Sequence, residues 1–207
     1  MITPHETDRH DAGGGPRLTV IACGALALHV RSIAARRGWD VGVVALPPEL
    51  HNRPERIPLA VRKELAERGL EPERVALAYA DCGTAGGLDE LGLSRLPGGT
   101  CYDVFAFDEV RELLAEEPGT FFLTDFLVRT FDRSILRSLG LDRYPELRDE
   151  YFRHYSRVVW LAQRETPRLR DEAVRAAEIL DLPLEIRPVG DKGLEHGLER
   201  ALASCRS

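Results

Sequence analysis

The chain has 207 residues, a formal net charge of -6, 43% hydrophobic residues and 30% charged residues. An α/β domain of this length can bury roughly 70% of the surface that its unfolded chain exposes, which allows a substantial core. A pI near 5.6 argues against a dedicated nucleic-acid-binding protein, and no apolar run approaches the roughly 20 residues that a membrane-spanning helix needs.

Residues 1–16 are polar, contain three consecutive glycines and end at Pro16, a composition that predicts a disordered leader. This segment lacks the apolar centre of a signal peptide, so we expect a cytoplasmic protein. In a reducing compartment, the four cysteines favour thiol chemistry or metal binding over disulfide bonds. Residues 17–207 show no strong shift in composition and are expected to form one domain.

Short apolar runs alternate with amphipathic stretches along the rest of the chain. The runs predict buried strands at Leu18–Ala22, Val41–Leu46, Val75–Ala80, Thr120–Leu123, Arg157–Ala162 and Leu184–Val189. The intervening stretches predict helices at Ala25–Arg37, Pro58–Arg68, Asp89–Leu91, Tyr102–Glu116, Asp125–Leu139, Pro145–Tyr155, Arg168–Leu180 and Lys192–Ala203. This alternation predicts an α/β fold, with a three-layer, doubly wound, mostly parallel sheet of about six strands.

Four reactive side chains follow the predicted strands at their carboxyl ends, where ligands bind in open α/β sheets. Cys23 follows the first strand, His51 lies in the loop after the second, and Cys82 follows the third. Cys101 stands at the start of the helix that precedes the fourth strand. We therefore expect these four side chains to lie on one rim of the sheet.

Three thiols and one imidazole form a ligand set suited to a soft metal ion in tetrahedral geometry. Zinc is the first expectation, and an iron–sulfur cluster would use the same thiolates. The chain has no CxxC pair, so this prediction depends on the topology rather than on spacing. The alternatives are buried structural cysteines, an exposed loop histidine, or a metal-free site with Cys101 as nucleophile and His51 as its base. Cys205 is expected to be a terminal thiol outside the site.

Glycines accompany the first and third predicted strands. Gly24 follows the first, and Gly83 and Gly86 belong to the loop after the third. Because glycine has no Cβ, these positions would let a cofactor approach the backbone. Arg164, after the fifth strand, is a candidate to hold an anionic group, with a solvated side chain as the alternative. The glycine loop does not match GxGxxG and lacks the lysine of a P-loop, so nucleotide binding is the weaker interpretation.

Three aspartates near this rim are predicted to have supporting roles. Asp81 and Asp103 are not expected to bind the metal themselves. Their carboxylates are expected to orient the His51 ring. Asp125 is interpreted as the N-cap of the helix that follows the fourth strand.

Four short segments around these residues are Ile21–Gly24, Leu50–Glu55, Tyr79–Gly83 and the segment containing Cys101. In these segments the chain resembles the domain of unknown function 1638 family, and the resemblance extends over most of the chain after the leader. Some relatives are found alongside corrinoid-dependent methyl-transfer systems, so the resemblance implies a role near one-carbon or thiol metabolism and adds a corrinoid to the candidate cofactors. The chain departs from a histidine–aspartate–cysteine order at the third cysteine, which puts in doubt any role for a histidine beside it.

Three functions remain open. In the first, a metal-dependent enzyme keeps a position for a thiol substrate, which the metal would deprotonate for methyl or sulfur transfer; a closed zinc site would instead be structural. In the second, the protein holds or delivers a metal or corrinoid, with the helical region 125–155 facing a protein partner or a second copy. The third is the metal-free cysteine enzyme. Each predicts a small-molecule ligand, with no nucleic acid and no membrane.

Overall fold

The computed structural model describes residues 18–205, so the predicted leader at residues 1–16 lies outside the described part. The strands are β1 (Leu18–Cys23), β2 (Val41–Leu46), β3 (Val75–Ala78), β4 (Ser94–Arg95), β5 (Thr120–Thr124), β6 (Arg157–Ala162) and β7 (Leu184–Pro188). The α-helices are α1 (Ala27–Arg37), α2 (Ile57–Arg68), α3 (Cys101–Glu116), α4 (Asp125–Arg129), α5 (Leu147–Phe152), α6 (Pro167–Leu180) and α7 (Lys192–Ser204). The α/β prediction is confirmed.

The strands are divided between two parallel sheets. The first has the order β2-β1-β3-β4 and the second has the order β5-β6-β7. The doubly wound, parallel arrangement is confirmed, but the strands do not form the single sheet that the pattern suggested. The first sheet ends at β4, which has only two residues and is followed by Leu96 and Pro97. Because Pro97 has no N–H to donate, it cannot extend the ladder of hydrogen bonds.

Register aligns the carboxyl ends of the three longer strands in the first sheet. Thr19 of β1 pairs with Gly42 of β2 and with Val75 of β3, all in parallel. The segments that follow these strands therefore begin at the same edge of the sheet. The reactive side chains predicted to share one rim, Cys23, His51, Cys82 and Cys101, lie at this edge.

Each sheet has its own buried core. β1 and β3 are buried along their whole length, as expected for central strands covered on both faces. The core of the first sheet includes residues of α1, α2 and the returning C-terminal helix α7. In the second sheet, α6 packs around the fully buried Trp160 of β6. Since α3 also packs against β5 and α7, it links the two sheets.

The helix predicted at Asp125–Leu139 is interrupted. It consists of α4 and a π-helical turn at Asp132–Arg137. Between them, the hydroxyl of Thr130 donates a 2.7 Å hydrogen bond to the carbonyl of Phe126. Such a bond to the preceding turn competes with the helical ladder and bends helices. Among the described residues, no helix is long and apolar enough to cross a membrane.

Candidate functional site

A cavity of about 240 Å³ opens at the carboxyl edge of the first sheet. Its first wall contains the four reactive side chains Cys23, His51, Cys82 and Cys101. Its second wall comes from the segment after β5 and includes Phe126, Leu127, Arg133, Ser134 and Ser138. The structure therefore brings the four residues from separate segments together in one small cavity.

Cys23, at the end of β1, lies close to His51, in the turn after β2. The Cys23 Sγ lies 4.0 Å from the His51 Nδ1, and the same nitrogen lies 3.0 Å from the carbonyl of Pro48. A carbonyl oxygen only accepts hydrogen bonds, so this contact assigns the ring proton to Nδ1. Nε2 is then the nitrogen with a free lone pair, which is the state of a metal-binding imidazole.

Gly24 sets the approach of these two segments. Its amide donates a 2.9 Å hydrogen bond to the carbonyl of Leu46, the last residue of β2. A Cβ at this position would lie 2.8 Å from that carbonyl oxygen and 2.8 Å from the Cδ of Pro48. Only glycine permits this contact, which holds Cys23 beside the 3₁₀ turn Pro48–Asn52 that carries His51.

Cys82 and Cys101 are positioned by backbone hydrogen bonds between their segments. The amide of Cys82 donates to the carbonyl of Gly99 at 2.8 Å, and the amide of Asp81 donates to that of Gly98 at 3.1 Å. Cys82 has a φ of 52°, a left-handed conformation that costs a non-glycine residue about 1–2 kcal/mol. The two hydrogen bonds stabilise this turn, and Cys101 begins α3 directly beyond it.

Asp81 and Asp103 stabilise turns and do not contact His51, so the prediction that they orient this ring was wrong. The Asp81 carboxylate accepts hydrogen bonds from the amides of Ala85 and Gly86 in its own turn. The Asp103 carboxylate accepts from the amide of Thr100 at 2.8 Å in a capping box at the start of α3. Their oxygens are therefore committed to the backbone that holds Cys82 and Cys101.

Burial keeps the three thiols of the cavity protonated. It raises the pKa of Cys82 to about 12, and repulsion from the Cys23 thiolate that forms at alkaline pH adds to this effect. Burial is also the main cause that raises the pKa of Cys23, and it raises that of Cys101 with further contributions from the other two thiols. At neutral pH, and without a positively charged ligand, all three groups are neutral.

Tyr79 lies behind Cys23 and His51, and sequence reasoning missed it. Its side chain is fully buried, and its ring stacks on the His51 ring with centroids 6.1 Å apart. Its hydroxyl interacts with the Cys23 thiol, a weak hydrogen-bond partner, and no stronger partner is found for it among the described residues. Tyr79 therefore links the Cys23 sulfur and the His51 ring behind the cavity. Its position just after β3 is the signal that could have identified it.

The family model described as protein of unknown function (DUF1638) matches residues 45–198. The chain belongs to this family. The DUF1638 match includes His51, Cys82 and Cys101, whereas Cys23 on β1 precedes it. The resemblance noted in the sequence is thus confirmed over this range. No curated protein and no solved structure matches the chain.

In this DUF1638 protein, Asp125 joins the two segments that follow β5 and β6. The carboxylate is fully buried and accepts hydrogen bonds from Trp160 Nε1 at 3.0 Å, the Gln163 amide at 3.1 Å and the Arg164 amide at 2.9 Å. The N-cap of α4 is Thr124 instead, whose hydroxyl accepts from a backbone amide of the first turn. The N-cap interpretation of Asp125 was therefore wrong, because the carboxylate faces β6.

The predicted cofactor contacts of the DUF1638 chain, Gly24, Gly83, Gly86 and Arg164, are all described, and none of them lines the cavity. Gly83 and Gly86 have φ values of 81° and 85° and shape the turn after β3. The backbone of Arg164 is held by Asp125. Their roles toward a cofactor stay predictions.

The four cavity residues do not form a closed metal centre as they stand. Within residues 18–205, no three Cys, His, Asp or Glu side chains are grouped closely enough to hold a metal ion. The fourth cysteine, Cys205, lies apart at the end of α7, where its thiol donates to the carbonyl of Ala201 at 3.3 Å. Any metal site would therefore need the four side chains of the cavity to move toward one another.

The second wall of the cavity was also missed in the sequence. Its residues lie in an amphipathic helical stretch whose pattern does not reveal which face borders a cleft. The signal that could have found them is the rule that located the cysteines, because Thr124 ends β5 and the wall follows it directly.

Proposed function

We propose that the cavity binds a thiophilic metal ion, zinc in the first place, through its three thiols and the imidazole of His51. The observation that carries the proposal is that three cysteines and one histidine, from four separate segments, line one small cavity. Thiolates and imidazole are the ligands that zinc prefers in proteins. The metal would serve an enzyme that transfers a methyl or sulfur group to or from a thiol.

The donor set favours zinc over the other candidate cofactors. Among the described residues that line the cavity, Glu49 carries the one carboxylate, so a hard cation would find a single charged oxygen ligand there. Iron–sulfur clusters usually take four thiolates, and the cavity offers three. A volume of about 240 Å³ is below the 300–1,000 Å³ typical of sites for drug-sized ligands, which disfavours a corrinoid ring inside it.

Binding requires the side chains to close onto one ion. Cys23 ends β1 and Cys82 follows β3, and backbone hydrogen bonds tie both segments to their neighbours. His51 is exposed on its 3₁₀ turn and has the most freedom to adjust. We therefore expect the thiols to provide the fixed part of the site and the imidazole to complete it.

The bound metal would supply Lewis-acid chemistry, because a coordinated thiol loses its proton and becomes a nucleophile at neutral pH. The chain's own contribution is a small, largely apolar cavity that admits one thiol substrate beside the ligands. If His51 is the labile ligand, its departure leaves a position for that substrate.

The metal-free cysteine enzyme has less support. Burial raises the pKa of Cys101, which keeps the proposed nucleophile protonated. The sulfur that contacts the His51 ring is that of Cys23, at 4.0 Å, rather than that of Cys101. A base and nucleophile need to be within hydrogen-bond reach, so this arrangement favours the metal.

Cobalt(II) titration of the metal-free protein tests the proposal. Tetrahedral coordination by thiolates gives intense visible bands and a sulfur-to-cobalt charge-transfer band in the near ultraviolet. We expect both in the wild type and in Cys205→Ser, whose thiol lies outside the cavity. Cys82→Ser and Cys101→Ser should lose charge-transfer intensity. Wild-type spectra without these bands, or unchanged spectra in both cavity variants, would contradict the proposal.

A further inference from the structure

A loose pair of opposite charges, Arg133 and Glu49, joins the two walls of the cavity. Arg133 Nε lies 3.9 Å from Glu49 Oε1, and both side chains are 57% exposed. Arg133 belongs to the π-helical turn Asp132–Arg137, whereas Glu49 belongs to the 3₁₀ turn Pro48–Asn52, so the pair spans the mouth of the cavity. Exposed pairs of this kind contribute about 0–1 kcal/mol, so each partner is available to a ligand at little cost.

The two serines of the second wall present oxygen lone pairs rather than protons. The Thr130 hydroxyl donates to the carbonyl of Phe126, so the Ser134 hydroxyl, 2.9 Å away, donates to Thr130. The Ser138 hydroxyl donates to the carbonyl of Arg133 at 3.1 Å. With both protons engaged inside the wall, the serine oxygens act as acceptors toward the cavity.

The second wall and Glu49 across the mouth thus offer several acceptors and one cationic donor. The acceptors are the Glu49 carboxylate and the oxygens of Ser134 and Ser138, and the donor is the guanidinium of Arg133. A carboxylate suits an ammonium group, to which neutral hydroxyl oxygens can add, and a guanidinium suits a carboxylate. An α-amino acid carries both groups on one carbon, and its side chain would then point toward the thiols.

We propose that the cavity binds a small sulfur-containing α-amino acid, with its ammonium on Glu49 and its carboxylate on Arg133. Its sulfur points toward the wall of thiols and His51, and this end alone rests on the proposed metal function. The volume of about 240 Å³ suits a ligand of this size.

Calorimetric binding of four related probes tests the two ends separately. S-methylcysteine carries all three groups, 2-(methylthio)ethylamine lacks the carboxylate, 3-(methylthio)propionate lacks the ammonium, and norvaline replaces sulfur with a methylene. A lost charge-assisted hydrogen bond weakens binding about tenfold, so we expect S-methylcysteine to bind about tenfold more tightly than either truncated probe.

Substitutions at Arg133 and Glu49 show which residue binds the carboxylate of the probe and which binds its ammonium group. Arg133→Gln should abolish the preference for the carboxylate, and Glu49→Gln should abolish the preference for the ammonium. Arg137→Gln is the matched control, because Arg137 lies on the same π-helical turn but does not line the cavity. It should retain both preferences.

The results of these binding measurements distinguish the amino-acid site from the proposed metal site. Equal binding of S-methylcysteine and the truncated probes, unchanged preferences in Arg133→Gln, or no binding of any probe would overturn the amino-acid site. If norvaline binds as tightly as S-methylcysteine while both charge preferences persist, the amino-acid site stands without its sulfur contact. In that case the contact between the ligand sulfur and the metal fails, and the cobalt titration decides separately whether the thiols bind a metal.

Discussion

The amide of Cys82 donates a 2.8 Å hydrogen bond to the carbonyl of Gly99, just before α3 begins at Cys101. This bond joins the left-handed turn after β3 to the start of α3, and it places two thiols of the cavity relative to each other. Gly98 makes the same junction possible, because its φ of 100° is open to glycine and strained for other residues. The site is therefore arranged by backbone geometry as much as by side-chain packing.

Gly98→Ala tests this junction. A Cβ at Gly98 would lie 2.6 Å from the Cβ of Asp103, which belongs to the capping box of α3. With steric overlap added to backbone strain, we expect a loss of about 2–4 kcal/mol in the free energy of unfolding, measured by urea denaturation. Gly92→Ala is the control, because its φ is 67° but no atom lies within 4 Å of the added Cβ. Equal losses in the two variants would show that the contact with Asp103 is unimportant.

Asp125→Asn tests the buried carboxylate between β5 and β6. The side chain of asparagine has one acceptor oxygen, whereas the Asp125 carboxylate has two. The NH₂ group of the asparagine would face the backbone N–H of Arg164, which would lose its acceptor. We expect a loss of about 2–3 kcal/mol in unfolding free energy and a change in the fluorescence of Trp160, whose indole N–H donates to Asp125. Asp132→Asn removes only an exposed ion pair and should change stability by less than about 0.5 kcal/mol. Similar midpoints for both variants would contradict the assigned role.

Alkaline pH should destabilise the metal-free protein. Burial raises the pKa of Cys82 from its ordinary value of 9.0 to about 12, so the folded state keeps a proton that the unfolded chain loses. Stability from this thiol is fully present below pH 9.0 and falls as the pH rises toward 12, by up to about 1.4 kcal/mol per pH unit.

Urea unfolding at a series of pH values on either side of 9.0 measures this slope. Cys82→Ser removes one titrating group and should reduce the slope relative to the wild type, with the remainder contributed by Cys23 and Cys101. Cys205→Ser should retain the wild-type slope, because its sulfur lies outside the cavity. If Cys82→Ser shows the same slope as the wild type, the thiol does not keep its proton in the folded protein.

The fold was largely predictable because hydrophobic periodicity reports local structure. The bounds predicted for β2 and β6 match the structure, and the glycine after α1 ends that helix as expected. The pattern could not show β4, whose two residues are polar and half-buried at the edge of the sheet. It also could not show that the strands divide into two sheets, because strand pairing depends on contacts between distant segments.

The candidate site was predictable only on its strand side. The carboxyl-end rule brought Cys23, His51, Cys82 and Cys101 to one cavity, because parallel strands end at a common edge. The rule does not report how tightly side chains converge, and the described residues form no closed ligand group. The opposite wall depends on the break at Thr130, a local competition between hydrogen bonds that periodicity does not reveal.

The most direct test of the metal site is the zinc content of protein expressed without an affinity tag, measured by mass spectrometry. We predict about one zinc ion per chain in the wild type and in Cys205→Ala, and a clear loss in Cys82→Ala. Equal metal content in the wild type and Cys82→Ala, or a wild type that binds no zinc when titrated, would contradict a metal site built on this cavity.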